Sequence, residues 1–370
     1  MIKNLLIISS DHTGHGHKSI TEALCEEFAQ YEDLKVHIFD GFSFGGKPLL
    51  QVAKSYGPIT RNAKDLWKII WKITLAQPSL INDAIEIIIK ENLLEVLEKV
   101  KPDMILTVHP NFNGSVLNVL EHNNLKIPFI TLLADLVNIT PLWADPRADY
   151  VICPTFEAKE VCMRLNVEEE KIKVLGFPVR SRFYKDEAGS QEEKEYKSDR
   201  PLKCLVMSGG EGSGNMSRIA SILLDNFNCT VKIVAGKNIA ARRRLESALL
   251  GKYGKRVEIY GFINHIQDLM MDSDIAITRG SPNVMMEAVS CNVPLVIVGA
   301  LPGQEEGNPD YALKNDLGVV CKDEGNLQKV ISDLLSDNAR KLNLIKKSQR
   351  QYSNPDTAKN IVEFILGLEI

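Results

Sequence analysis

Leu5-Leu6-Ile7-Ile8-Ser9, then Asp11-His12-Thr13-Gly14-His15-Gly16-His17, then Leu34-Lys35-Val36-His37-Ile38-Phe39: the order of these stretches decides the fold class. The first is a short continuous apolar run, the pattern of a strand buried on both faces. It opens into a glycine-bearing loop, and a helical stretch from about Ser19 to Tyr31 leads to the second apolar run. Strand, helix and strand in that order predict a βαβ unit and a parallel sheet.

The same alternation continues outward. Ile85–Val100 reads as an amphipathic helix stopped at Pro102, and Met104–Val108, Phe129–Leu133 and Tyr150–Cys153 read as short buried strands. The pattern lapses at Lys185–Arg200, where ten of sixteen residues are charged, as in an exposed linker. It restarts with strands at Lys203–Met207, Thr230–Ala235, Val257–Tyr260, Ile275–Thr278 and Leu295–Val298. We therefore expect two doubly wound, Rossmann-like α/β domains over 1–184 and 201–370, with 185–200 between them. The closing helix, Ala358–Leu368, is free to return to the first domain.

Composition agrees with that reading. At 370 residues the chain is long enough for about two domains. Hydrophobic residues are 44% and charged residues 25%, and the formal charge is −4; this is an ordinary globular balance that disfavours a basic nucleic-acid binder. The longest uncharged stretches are broken by polar residues and proline, which excludes a spanning helix. The N-terminal apolar run meets Asp11 too early for a signal peptide. Seven cysteines without a C-x-x-C pair fit a reducing compartment. A cytoplasmic protein is expected.

Open α/β sheets place ligands at the carboxyl ends of their strands, so the loop after the first strand is the first candidate site. Gly14 and Gly16 allow close approach of backbone to ligand, although Ser19 breaks the dinucleotide fingerprint. His17 stands before a helix, where it serves either as a proton acceptor or as a brace for the loop. His12, His15 and His17 lack a Cys or Glu pair to complete a metal shell. In the second half, Gly209-Gly210-Glu211-Gly212-Ser213-Gly214 can offer backbone N–H groups to a phosphate, but it lacks the Lys-Ser/Thr of a nucleotide-hydrolysing P-loop. Arg279-Gly280-Ser281-Pro282-Asn283 leads into a helix, Val284–Ser290, whose first turn also favours an anion. Glu287, one turn in, either reaches a sugar hydroxyl or is a solvated helix residue. Gln304 and Glu305, in Pro302–Asn308, carry adjacent amide and carboxylate groups suited to sugar hydroxyls, or to an exposed turn.

Phe42–Asn82 stands apart from the rest. Lys47, Lys54, Arg61, Lys64, Lys68 and Lys72 face Asp65 alone. Arg61, Lys64, Lys68 and Lys72 keep to one side of a continuous helix, and Trp67 and Trp71 are one turn apart. Cations beside indoles are what an interfacial helix presents to anionic lipid. The alternative is indoles packed inward beneath a solvated basic face.

Taken in order, Gly14-His15-Gly16-His17, Ala134-Asp135-Leu136 with Pro141-Leu142-Trp143, Gly176-Phe177-Pro178-Val179-Arg180, Ser208-Gly209-Gly210-Glu211-Gly212, Gly236-Lys237-Asn238, Gly261-Phe262 and Pro302–Asn308 resemble the monogalactosyldiacylglycerol synthases and the bacterial processive diacylglycerol glucosyltransferases. The resemblance implies a GT-B glycosyltransferase, its two domains facing a central cleft. Such an enzyme moves a hexose from UDP-glucose or UDP-galactose to diacylglycerol or a glycolipid, with inversion and without a metal, at the inner face of the membrane. By the same resemblance His17 would be the base, and Asp135 would support it or the acceptor. Gly210, Glu211, Gly212, Ser281, Asn283 and Val284 would hold the diphosphate. Phe262 would offer its backbone to uracil, Glu287 would grip the ribose, and Gln304 and Glu305 the sugar. Arg61, Lys64, Trp67, Lys68, Trp71, Lys72 and Trp143 would meet acceptor and membrane. Ser281-Pro282-Asn283-Val284 stands where the family has Gly-Pro-Gly-Thr, Ala134 where threonine is usual, and His12 as an addition. Two further readings are a UDP-N-acetylglucosamine 2-epimerase on the same architecture and a nucleotide-sugar binder without turnover.

Overall fold

The computed structural model describes residues 2–11, 13, 16–184, 195–207 and 215–368, without the side chains of Arg61, Asn62 and Lys64. Its chain divides into two compact units. The first comprises Met1–Ser181, Pro302–Gln304 and Asp356–Ile370; the second comprises Arg182–Leu301 and Glu305–Pro355.

In the first unit, strand β1 (Asn4–Ser9) is buried from Leu5 onward, because it lies inside a parallel sheet covered on both faces. Beside it run β2 (Lys35–Asp40) and β3 (Met104–Thr107), followed by β4 (Phe129–Leu132), β5 (Tyr150–Cys153) and β6 (Ile172–Val174), in the order β2-β1-β3-β4-β5-β6. The start of β1 is pinned by Asp103, whose Oδ2 accepts the Lys3 and Asn4 amides at 2.7 and 2.8 Å. Helices α1 (Gly16–Phe28), α2 (Gly46–Asn62), α3 (Lys64–Ala76), α4 (Pro78–Val100), α5 (Asn113–His122) and α6 (Phe156–Arg164) cover this sheet and extend from it.

The helix expected to carry Arg61, Lys64, Lys68 and Lys72 together is two helices. Ala63 leaves helical geometry (φ −134°, ψ 57°) between α2 and α3. The physical reason lies in Tyr56 and Trp67, whose rings meet edge to face at 5.3 Å. Eleven residues along one straight helix would separate them by about 16 Å, so the contact needs the chain to turn.

The second unit contains β7 (Leu202–Met207), β8 (Cys229–Val234), β9 (Val257–Tyr260), β10 (Ile275–Thr278), β11 (Leu295–Ile297) and β12 (Gly318–Val320), all parallel, in the order β12-β11-β10-β7-β8-β9. Helices α7 (Met216–Asn226), α8 (Ile239–Tyr253), α9 (Ile266–Met271), α10 (Pro282–Ser290), α11 (Asn308–Lys314) and α12 (Leu327–Tyr352, with 336–339 non-helical) complete it. Its core joins apolar residues of the sheet and of α7, α8 and α12.

The end of the expected linker belongs to this second unit. Tyr196 is buried, and its backbone exchanges hydrogen bonds with the Asn343 side chain. Arg200 grips Asp274 with both terminal nitrogens, at 2.7 and 2.5 Å. The last helix, α13 (Thr357–Leu366), lies against α1 in the first unit, and its Phe364 meets the Tyr150 ring edge to face at 5.3 Å. No helix among the described residues is long and apolar enough to cross a membrane.

Candidate functional site

His17 occupies the first turn of α1, which begins at Gly16 rather than near Ser19. Thr21 ties that turn to β1 through its hydroxyl, 2.8 Å from Ser9 Oγ and 2.9 Å from the His17 carbonyl. The imidazole Nδ1 stands 2.6 Å from the Val108 carbonyl. A carbonyl oxygen can only accept, so Nδ1 carries the proton and the lone pair resides on Nε2. Burial lowers the His17 pKa from 6.5 to about 4, against an opposing pull from the Val108 carbonyl. The ring is therefore neutral at pH 7.

His109, at the end of β3, is buried 4.5 Å from His17, centroid to centroid. Its Nδ1 accepts the Asn111 amide, so Nε2 donates to Thr13 Oγ1 at 3.1 Å. Burial, followed by His17, drives its pKa well below the ordinary value. Two neutral imidazoles thus share the carboxyl edge of this sheet, with His17 alone directing an unprotonated nitrogen away from its brace.

Asp135, just past β4, is buried. Its Oδ2 accepts the Trp143 indole N–H at 2.7 Å, and its Oδ1 accepts the Gln304 amide at 3.1 Å. Gln304 belongs to the first unit. Trp143 was expected at the acceptor or the membrane; at 1% exposure it touches no bilayer and instead orients Asp135. Asn113 holds the Trp143 segment in turn, donating to the Leu142 and Trp143 carbonyls at 3.0 and 3.2 Å while accepting from Thr107.

Helix α3 also differs from expectation. Its indoles face inward: Trp67 packs against Tyr56, Trp71 lies against Gly303, and Trp67 Nε1 is shielded from water with no acceptor among the described residues. Besides Leu75 in the last turn, the exposed apolar side chains of α3 are Leu66, Ile69 and Ile73, at 46%, 55% and 48%. They are spaced along one helix face, with Lys68 and Lys72 exposed beside them. The side chains of Arg61 and Lys64 lie outside the described residues.

In the second unit, Gly210, Glu211 and Gly212 lie outside the described residues. Ser281 caps α10 without a side-chain hydrogen bond, Asn283 is half-buried, and Val284 is buried. Glu287 is buried too, which removes the solvated-helix alternative. Phe262, 48% exposed after β9, has Lys237 Nζ 5.3 Å from its ring centroid. Glu305, expected to grip sugar hydroxyls, is turned inward at 3% exposure. Its Oε2 accepts the Leu301 amide at 2.8 Å and pairs with Arg279 Nε at 2.8 Å. A buried carboxylate needs such partners, and Glu305 braces the loop that Gln304 ends.

Sequence reading missed His109, Asn113 and Tyr56, and the pairing of Arg279 with Glu305. His109 and Asn113 follow the third strand as His17 follows the first, so the strand-end rule already pointed to them. Tyr56 acts on Gln304, far along the chain, and leaves no local signal; Arg279 shows in sequence as the start of an anion-binding loop, whereas its pairing with Glu305 does not.

Residues 17–179 match the family model for monogalactosyldiacylglycerol (MGDG) synthase, and residues 204–361 match the glycosyltransferase family 28 C-terminal domain. The chain is 28% identical to probable monogalactosyldiacylglycerol synthase 2, chloroplastic, of Oryza sativa subsp. indica, over 99% of this chain and 81% of the relative. It is 29% identical to monogalactosyldiacylglycerol synthase 1, chloroplastic, of Arabidopsis thaliana, over 97% and 70% respectively. Among solved structures, Acinetobacter baumannii MurG superposes with a TM-score of 0.68 at 13% identity, covering 99% of this chain and 100% of that one. UDP-GlcNAc 2-epimerase from Neisseria meningitidis, bound to UDP-GlcNAc, superposes at 0.64 with 15% identity over 98% and 100%. Those two likenesses establish the fold alone. With both halves matched in order and the relatives aligned over nearly the whole chain, the protein is a GT-B glycosyltransferase similar along its length to the monogalactosyldiacylglycerol synthases.

Proposed function

We propose that the protein transfers a hexose from UDP-galactose or UDP-glucose to the hydroxyl of diacylglycerol or a related glycolipid at a membrane surface, with inversion. The observation that carries this reading is the His17 imidazole, whose proton is fixed on Nδ1 by the Val108 carbonyl and whose Nε2 is left as a base. The acceptor oxygen attacks C1 of the sugar, the bond from C1 to the phosphate oxygen breaks, and UDP departs with the electron pair. The acceptor proton passes to His17 Nε2. A depressed pKa keeps that nitrogen unprotonated at working pH, and the barrier falls because proton transfer accompanies bond formation.

For the donor, the first turn of α10 offers the Asn283 and Val284 amides to the diphosphate, and no side-chain cap competes for them. A helix start stabilises a departing anion without reorganising. The glycines at 210 and 212 would add their amides. Glu287 would hold the ribose, Phe262 the base, and Gln304 the sugar. Leu66, Ile69 and Ile73 would enter the lipid headgroup region, with Lys68 and Lys72 drawn to anionic lipid. This supports peripheral attachment, which we place at the inner membrane face.

A donor-by-acceptor panel tests the reading. Labelled UDP-galactose, UDP-glucose and UDP-N-acetylglucosamine are incubated with dioleoylglycerol vesicles. Label in the lipid fraction is the expected result. A soluble epimer would turn the assignment to an epimerase, and nucleotide-sugar binding without turnover would leave a sensor.

A further inference from the structure

The proposed mechanism leaves unexplained why two aromatic residues of α2 and α3 close on the segment Pro302–Gln304. Gly303 adopts φ +80°, and a Cβ there would stand 2.3 Å from Trp71 Cδ1. Its backbone is thus laid directly on the indole edge, a position that only glycine fills. At the next residue both ends of the side-chain amide are held. Gln304 Nε2 donates to Asp135 at 3.1 Å, and Gln304 Oε1 accepts from the Tyr56 hydroxyl at 3.4 Å. The Tyr56 ring is set by Trp67, whose ring centroid lies 6.4 Å from that of Trp71.

A primary amide has two N–H donors and two acceptor lone pairs. Asp135, which already accepts the Trp143 indole N–H, faces the NH2 end, and the Tyr56 phenol faces the oxygen. The amide therefore cannot flip without setting its oxygen against the Asp135 carboxylate, which only accepts. One N–H and one lone pair remain, the complement of a sugar hydroxyl.

We infer that Trp71 and Tyr56 are positioning residues for Gln304, through which α2 and α3 set the affinity for the hexose of the nucleotide donor. This rests on the reading of Gln304 as a sugar contact. Trp71 fixes the backbone and Tyr56 the amide orientation; neither touches the reacting atoms.

The experiment measures KM for UDP-galactose and UDP-glucose in dioleoylglycerol–detergent micelles, where docking to a bilayer is not limiting, together with calorimetric Kd for the same nucleotides. Trp71→Ala should raise donor KM and Kd about tenfold and Tyr56→Phe about threefold, as expected for loss of orientation. The KM for the lipid should stay put, and Trp71→Phe should recover most of the loss. In a Gln304→Ala background neither change should have a further effect on donor affinity. Additive losses in that background, or losses confined to the lipid KM, would overturn the inference. Tyr56→Phe preserves the ring packing, so it decides the matter even if Trp71→Ala fails to fold. A wild-type protein that binds donor without transferring defeats the proposed reaction but still answers this question through Kd.

Discussion

The two sheets are close relatives that part company after their second strand. In the second unit the chain leaving β8 returns as β9, which pairs with β8 and becomes the sheet edge. In the first unit the chain leaving β2 forms α2, α3 and α4 before returning as β3 on the opposite side of β1. β2 therefore remains an edge, partly open along its length with Ile38 52% exposed, whereas β8 is largely buried. One half spends its third segment on the sheet. The other spends it on a helical platform, and that platform carries Tyr56, Trp67 and Trp71 together with the exposed face of α3.

If the first unit holds the base, the largest effect should come from His17. His17→Ala is expected to lower kcat about a thousandfold, within the usual range for a general base, while UDP-sugar Kd measured by calorimetry is unchanged. Full transfer by this variant would refute His17 as the base. The pH profile gives a second reading of the same residue. Because burial holds its pKa near 4, kcat/KM for the wild type should stay flat down to about pH 5 rather than falling near 6.5. The unfolded imidazole takes up a proton between pH 6.5 and about 4 and the folded one does not, so stability falls as pH drops through that window.

The next effect contrasts how the first strands of the two sheets are anchored. Asp103 and Asp274 are equivalents: each precedes a strand that pairs with the first strand, donates its own amide to a carbonyl there, and accepts backbone N–H in return. Asp274 is also buried and holds Arg200 with two bonds. Asp274→Ala leaves a cation and an amide without their partner and should cost about 3 kcal/mol, read by urea unfolding.

Legibility followed the range of the interactions. The path from Leu5 through His17 to Phe39 is readable because continuous burial, glycines and strand periodicity are local properties. β6 and β12 were not read; each has three residues and sits at a sheet edge, too short for a period to show. The turn at Ala63 was hidden because it follows from where Tyr56 and Trp67 meet. The inward placement of Glu305 was equally hidden, since its partner Arg279 lies on another loop. The chemistry-bearing residue types were visible in sequence, whereas the side of the fold that each would face was settled by tertiary contacts.

The platform itself gives a third, smaller effect. Leu66→Ser, Ile69→Ser and Ile73→Ser combined should reduce partition onto anionic vesicles about thirtyfold by withdrawing apolar surface from the interface. Lys68→Glu with Lys72→Glu should reduce it about tenfold at low salt, and less once salt screens the surface. Unchanged co-sedimentation of both variants would separate the helical platform from any membrane role and leave it with Gln304 alone.

The smallest effect closes the comparison of the two anchors. Asp103 makes backbone bonds like those of Asp274 but is solvent-exposed and pairs with no arginine among the described residues. Asp103→Ala should therefore cost about 1 kcal/mol, the usual net contribution of a hydrogen bond, since solvent screens the exposed carboxylate. The amides of Asn4 and then Lys3 hold its carboxyl below the ordinary value of 3.8. A depressed carboxyl stabilises the fold above its unfolded pKa, and that contribution is lost as pH falls below about 3.8. Wild type and Asp103→Ala should thus converge in stability at acid pH and diverge by about 1 kcal/mol above pH 5. Equal losses from Asp103→Ala and Asp274→Ala would mean that the backbone bonds common to both anchors carry the stabilisation, and that Arg200 adds nothing to the second.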